Sequence, residues 1–193
     1  MTHVDQPNQP RMRADARRNR ERIISAARDV FEAAGNDAQM DDVAAAAGVG
    51  VGTVYRHFPN KDALIGELVR QKFEHISRFL AEAKAEGGDP GEALLRSLTR
   101  SAEQMELDMA TQHVMSQPSP AVWAVCAGCV QEVQDRSGEL IAGGIASGTL
   151  RPDMQVSDIR LIMGGIASTM ADPSLRPSWR RHLELALDSL RAR

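Results

Sequence analysis

The sequence predicts an all-α protein, and three observations carry that prediction. Alanine, leucine and arginine dominate, and runs of β-branched residues are rare. Apolar residues recur at three- and four-residue steps through most of the chain. The breaks between these stretches are helix punctuation: Gly35-Asn36, Pro59-Asn60, Gly87-Gly88-Asp89-Pro90, Ser119-Pro120, Gly148 and Asp172-Pro173. No strand pattern or internal repeat interrupts them. At 193 residues the chain can bury a sizeable core in one or two small domains.

Each element follows from its residues. Residues 1–14 carry Pro, Gln, Asn and Arg without periodicity and read as a flexible basic arm. A helix is expected from about Asp15 to Ala34, burying Ile23, Ile24, Ala27, Val30, Phe31 and Ala34, and Gly35-Asn36 stops it. Residues 41–58 read as two short crossing helices with Val43, Ala44, Ala47, Val49, Val54 and Phe58 turned inward. Between them, Gly48 supplies a left-handed turn. Asn60 can cap a long helix from Lys61 to about Glu86, with Ile65, Val69, Phe73, Ile76, Leu80 and Ala83 as its stripe. Asp89-Pro90 supplies an N-cap and an N1 proline for a helix through Leu94, Leu98 and Met105. Ser119-Pro120 repeats that signature for a helix reaching about Ser147, with Gly148 as its C′ residue. A loop from Leu150 to Asp153 precedes a helix from near Ser157 carrying Ile159, Ile162, Ile166 and Met170. The last helix begins near Ser178 and carries Trp179, Leu183, Leu187 and Leu190. The organisation is thus an arm (1–14), a three-helix head (15–60) and a helical body (61–193). No flexible linker intervenes, because the helix at Lys61 serves both parts.

The net charge of −3 is unevenly spread. Residues 1–61 hold nine Lys/Arg against eight Asp/Glu, and the remainder 14 against 18. A basic end on an acidic body suits a protein that touches phosphate at one end. No apolar run is long enough to span a membrane, and the start MTHVDQPNQPRMR is polar. The expectation is a cytoplasmic protein with no signal peptide and no membrane partner. Two cysteines do not make a disulfide scaffold.

The spacing Val43-Ala44, Gly48-Val49, Val54 is a helix-turn-helix signal, the alternative being an ordinary αα-corner. With Val54 and Phe58 inward, Gly52 and Arg56 lie opposite, flanked by Thr53 and Tyr55. Glycine inside a helix costs about 1 kcal/mol relative to alanine. Close approach of the Gly52 backbone to DNA would explain that cost. Thr53 suits a base edge, a phosphate or a thymine methyl, and Arg56 can fork onto guanine O6 and N7. Tyr55 and His57 can donate to phosphate oxygens, and Lys61 opens a helix whose N-terminal dipole favours phosphate. The alternatives are a Tyr55 that packs the head and a His57 that satisfies a backbone carbonyl.

The stretches ARRNRERIISAARDVFEAAG and MDDVAAAAGVGVGTVYRHFPNKDALIGELV, within about Asp15 to Val69, resemble the DNA-binding head of the TetR family of bacterial repressors. The resemblance implies a three-helix head, an all-α effector-binding and dimerisation domain, and a homodimer on a palindromic double-stranded operator. Half-sites one helical turn apart, about 34–36 Å, suit such a dimer. It also implies that the positions of Thr53, Tyr55, His57 and Lys61 contact DNA. Gln39 stands where the family often has a Ser or Thr that caps the second helix and binds phosphate. Gly50 stands where Ser is common. The expected DNA-binding set is therefore Gln39, Gly52, Thr53, Tyr55, Arg56, His57 and Lys61. The implied function is a transcriptional repressor released from its operator by a small-molecule effector, with no other cofactor and no metal. No Ser/His/Asp grouping, phosphate loop or carboxylate pair suggests an enzyme.

By resemblance the body should hold the effector, and candidate liners are Phe73, Ile76, Met105, Met109, His113, Met115, Trp123 and Cys126. The same residues at helical spacing also suit plain core. The Ser119–Ser147 helix, with one or both later helices, is the candidate dimer interface. There Ala124, Ala127, Gly128, Gly143 and Gly144 permit close contact. The stripe Trp179, Leu183, Leu187, Leu190 suits either that interface or the chain's own core. Cys126 and Cys129 lie on neighbouring turns, where they can ligate a metal, oxidise together or simply pack; a zinc site would need two more ligands.

Overall fold

The periodic stretches become helices throughout the described chain, residues 9–108 and 119–193 of the computed structural model. The elements are α1 (Gln9–Ala34), α2 (Met40–Ala47), α3 (Val51–His57), α4 (Lys61–Ala85), α5 (Pro90–Leu107), α6 (Pro120–Ala146), α7 (Val156–Ala171) and α8 (Trp179–Ser189). Single 3-10 turns lie at Gly35–Asp37 and Arg176–Ser178. Side-chain caps set three starts as expected. Asn60 Oδ1 accepts the Ala63 N–H at 2.8 Å, Asp89 Oδ1 accepts that of Glu92 at 3.0 Å, and Ser119 Oγ accepts that of Val122 at 3.3 Å. Gly48 takes the left-handed conformation (φ 63°) that joins α2 to α3.

One boundary differs. α1 begins at Gln9, not near Asp15, so residues 9–14 of the expected arm are helical. Pro10 sits in the first turn, where its missing N–H has no helical partner to lose, and no breaker follows it. Ala34, expected on the buried face, is exposed where the chain turns at Gly35.

The head does not close its own core. Ile23, Phe31, Val43, Val54 and Phe58 pack with Leu64, Leu68 and Val69 of α4, and with Val122 and Cys126 of α6. Burying each large apolar side chain stabilises the fold by roughly 1.5–3 kcal/mol, so head and body share stabilisation at this junction. A second cluster joins Leu80 and Ala83 of α4, Leu94 and Leu98 of α5, Leu140 and Ile141 of α6, Leu150 and Leu190. A third gathers Ala102, Met105, Ile166, Met170, Trp179 and Leu183. Trp179 is 2% exposed and donates its indole N–H to Glu106 Oε1 at 2.9 Å. The last helix's stripe is therefore intramolecular core.

Two of the small residues of α6, Gly143 and Gly144, pack within the chain, while Ala124, Ala127 and Gly128 are exposed. A Cβ on Gly143 would lie 2.7 Å from Pro90, and one on Gly144 2.6 Å from Leu150 and 2.7 Å from the Gly91 backbone. These glycines let α6 meet α5 within the chain, whereas Gly128 faces open space. The chain end is pinned to the same region: Arg151 N–H donates to Leu190 O at 2.9 Å, and Ala192 N–H to Thr149 O at 3.0 Å.

Polar contacts tie α4 to its neighbours. Glu67 of α4, 6% exposed, receives Arg20 of α1 at 2.8 Å and Arg70 at 2.7 Å. Burial alone would raise its pKa, but the hydrogen bonds and charges of Arg70 and Arg20 hold it at about 2. Arg20 also stacks on Phe58, 5.1 Å from the ring centre. From α6, Ser119 Oγ donates to Asp62 at 2.9 Å and Cys126 Sγ to the Gly66 carbonyl at 3.3 Å.

Two outcomes follow for stability. Gly144→Ala should destabilise the protein by about 1–3 kcal/mol, because its Cβ meets backbone that cannot yield cheaply. Gly128→Ala should be neutral or mildly stabilising, and urea denaturation of the two variants checks the contrast. Glu67 has a depressed folded-state pKa, so its contribution is complete above about pH 4.5 and is lost as pH falls toward 2. That shift corresponds to roughly 3 kcal/mol. Wild type should exceed Glu67→Gln in urea stability at pH 6, with the margin shrinking between pH 4.5 and 3; a constant margin would remove the carboxylate's charge from the account.

Candidate nucleic-acid interface

α3 is seven residues long and turns one face inward. Val54 is 0% exposed, and Phe58, just past the helix, is 2% exposed. This fixes what the other side shows. Gly52 and Arg56 are exposed, Tyr55 is 46% exposed, and Thr53 and His57 are half-buried at the flanks. A Cβ on Gly52 would meet nothing within 4 Å. Packing within the chain therefore does not demand glycine there, and the space outside its backbone is open. Among the described residues neither Tyr55 nor Arg56 has a side-chain hydrogen bond or ion pair, so both retain their donors for an external acceptor.

The two departures at helix starts resolve differently. Gln39 is the N-cap of α2, and the Asp42 carboxylate accepts its N–H at 3.1 Å. Its own amide Nε2 donates to the Asp37 carbonyl at 2.7 Å. The helix is thus capped from within its first turn. At α3 the cap is Gly50, which has no side chain to contribute.

Lys61 begins α4 with its ammonium 5.6 Å from the Phe31 ring centre. Sequence reasoning missed a further arginine. Arg22 Nη2 donates to the Ala47 carbonyl at 2.6 Å, where it satisfies the C-terminal end of α2 and stands 3.0 Å from where a Gly48 Cβ would be. The sequence placed Arg22 only within the basic end suited to phosphate.

The body candidates separate. Phe73 and Trp123 lie together, ring centres 6.4 Å apart, near Cys126, which is fully buried at the junction. Ile76 packs with the second cluster, and Met105 belongs to the third. Met109, His113 and Met115 lie outside the described residues. Burial, then the neighbouring Cys129, raises the Cys126 thiol's pKa. Among the described residues no group of three or more His, Cys, Asp or Glu side chains is placed to hold a metal ion.

A polar cluster in the body was also missed. Arg28 of α1 bridges Gln71 of α4 at 2.8 Å and Asp108, the C-cap of α5, at 3.3 Å. Beside them, burial pushes Lys72 down to about 8, partly offset by Asp108. It also lowers His75, helped by Arg78 and Arg28. The available signal was positional: Lys72 stands seven residues after Ile65 and four before Ile76, within the apolar stripe of α4. No described helix is long and apolar enough to cross a membrane.

Comparison with known proteins agrees with this geometry. The family model for bacterial regulatory proteins of the tetR family matches residues 23–68, and that for the C-terminal domain of SbtR-like transcriptional regulators matches residues 89–192. The regulator SAR0097 of Staphylococcus aureus is 40% identical over 82 residues, spanning 39% of this chain and 42% of that protein's length. The transcriptional repressor KstR of Mycolicibacterium smegmatis is 29% identical over 150 residues, 77% of this chain and 74% of that one. The crystal structure of the TetR regulator SCO0520 of Streptomyces coelicolor superposes with a TM-score of 0.61 at 31% identity, covering 90% of this chain and 98% of that one. With an outward-facing α3 on a shared helical core, and family matches to both head and body, the chain belongs to the TetR family of DNA-binding transcriptional regulators.

Proposed function

We propose that the protein is a homodimeric repressor that leaves a palindromic operator when a small molecule binds its body. The observation that carries this reading is the outer face of α3. Gly52, Tyr55 and Arg56 are exposed there, while Val54 holds the opposite side in the core. Arg56 would read guanine, Thr53 a base edge or phosphate, and Tyr55, His57, Gln39 and Lys61 the backbone.

Dimerisation is supported by apolar side chains left outside the chain's own core. Leu161 of α7 is 73% exposed and Leu185 of α8 53% exposed, with Leu175 between these helices at 51%. Two copies pairing α7 and α8 would cover them in a four-helix arrangement. Release is supported by continuity. α4 runs 25 residues from the head into the body, and α6 grips its first turns through Asp62 and Gly66. An effector that prefers a body shape with displaced heads would weaken operator binding by its difference in affinity for the two shapes.

The deciding experiment is fluorescence anisotropy on duplex DNA from upstream of the protein's own coding sequence, with sedimentation to establish the dimer. Tight, salt-dependent binding supports the reading; a monomer indifferent to that DNA ends it. Within this assay Arg56→Ala should cost about 1–3 kcal/mol and relax base preference at one position of each half-site. Lys61→Ala should instead weaken binding to all sequences and flatten the salt dependence. Equal effects of both variants on specific and random DNA would remove Arg56 from base reading.

A further inference from the structure

The chain has three lysines, two of which, Lys61 and Lys84, lie at the ends of α4. Lys72 lies between them on the inward stripe, where an apolar residue is the norm. Among the described residues no carboxylate pairs with it: Asp108, the acidic group that acts on it, is bonded to Arg28 at 3.3 Å. Glu74, two residues on and turned to solvent, is bonded by Arg70. Arg28, Lys72 and Arg78 therefore leave this region short of negative charge, and a half-buried ammonium without a paired carboxylate carries a desolvation cost.

A second observation comes from α5. Ser97 and Ser101 are 1% and 5% exposed, and neither hydroxyl has a hydrogen-bond partner. Buried hydroxyls are normally satisfied. With Gln104 and Asp108 they form a polar stripe at i, i+4, i+7 and i+11, cut into a face that otherwise carries Leu94, Leu98 and Met105. α5 runs antiparallel to α4, for Arg96 bonds the Ala83 carbonyl while Asp108 approaches Lys72. The stripe therefore leads from Ser97 toward Lys72. At 1.5 Å rise per residue, Ser101 and Ser97 lie about 10 and 16 Å along it from Asp108.

We propose that the α4–α5 interior receives an elongated organic anion, its acidic group paired with Lys72 beside Arg28 and His75, and a second polar group reaching Ser101 or Ser97. This deepens the effector-responsive reading and rests on it. The apolar surfaces of Ile76 and Leu98 would line the chain between Lys72 and Ser97. Neutral molecules of the same length would leave the ammonium unpaired and bind more weakly.

The test is calorimetric titration of the full-length protein with 12-hydroxydodecanoate, 12-hydroxydodecyl phosphate and 1,12-dodecanediol. At least one anion should bind ten-fold or more tightly than the diol, and the tighter of the two identifies the acid as carboxylate or phosphate. Lys72→Met should bring the anion's affinity down to that of the diol while melting no lower than wild type, which shows that it folds. Lys84→Met, which removes a surface partner of Glu139, should bind as wild type does. Equal binding of diol and anions, unchanged affinity in Lys72→Met, or no binding of either anion would overturn the proposal. Operator release measured in parallel separates the two readings. Release by the diol without response to the anions sinks this inference alone. Failure of the unliganded protein to bind its operator sinks the repressor reading, while the calorimetry still decides the site.

Discussion

Glu67 is a carboxylate placed where little water can reach it, and Arg20 and Arg70 keep it ionised there. Much of the architecture depends on this arrangement. Arg20 belongs to α1 and also stacks on Phe58, which closes α3. Glu67 belongs to α4, at the level where Cys126 of α6 bonds the Gly66 carbonyl. One ionic group thus fixes α1, the end of α3 and the start of the body's long helix relative to one another. A buried pair of this kind adds little net stability compared with apolar replacements of the same shape, but losing one partner leaves a stranded charge. Its effect is therefore one of geometry: α4 has one favourable register against α1.

The surface ion pairs play a smaller part. Lys84–Glu139, Arg136–Glu132 and Arg181–Glu184 are largely exposed, and solvent and salt screen such pairs so that they add little. Stability comes instead from the three apolar clusters and from close approach. At Gly143 and Gly144 the absence of a side chain lets α6 reach the beginning of α5, and the chain terminus is hydrogen-bonded over the same corner. Body helices and chain end are secured in one place, distant in sequence from the head.

Local chemistry was legible from the sequence, and long-range partnership much less so. Asn60, Asp89 and Ser119 announce helix starts because a cap acts within three residues of itself. Gly48 announces the turn, and the periodicity of Val43, Ala44 and Val54 gives the head's inner face. Gly143 and Gly144 read equally well as a dimer seam, because a glycine signals close approach without naming the neighbour. Trp179 and Leu183 were ambiguous for the same reason, until Glu106 and Met105 were seen beside them. Lys72 was hidden by its type: long side chains often carry their charge out to solvent, so a lysine within an apolar stripe reads as harmless. Among the described members of the expected pocket set, Phe73 and Cys126, Ile76, and Met105 fall in three different clusters.

The position of Lys72 bears on how a body could move its head. α4 is about 37 Å long at 1.5 Å per residue, comparable with the distance between successive major grooves on one face of DNA, about 34–36 Å. A tilt of a few degrees along such a lever displaces its far end by a few ångströms, enough to spoil the fit of two heads held at fixed separation. Lys72 lies near the middle of this lever, where Arg28 reaches from α1 to both Gln71 and Asp108. A negative charge arriving there would compete with Asp108 for the cations that join α1, α4 and α5. The Glu67 contacts lie one turn toward the head and resist sliding of α4 along α1. In the release proposed above, rotation about that fixed point would be the motion left to the helix, and it would carry α3 with it.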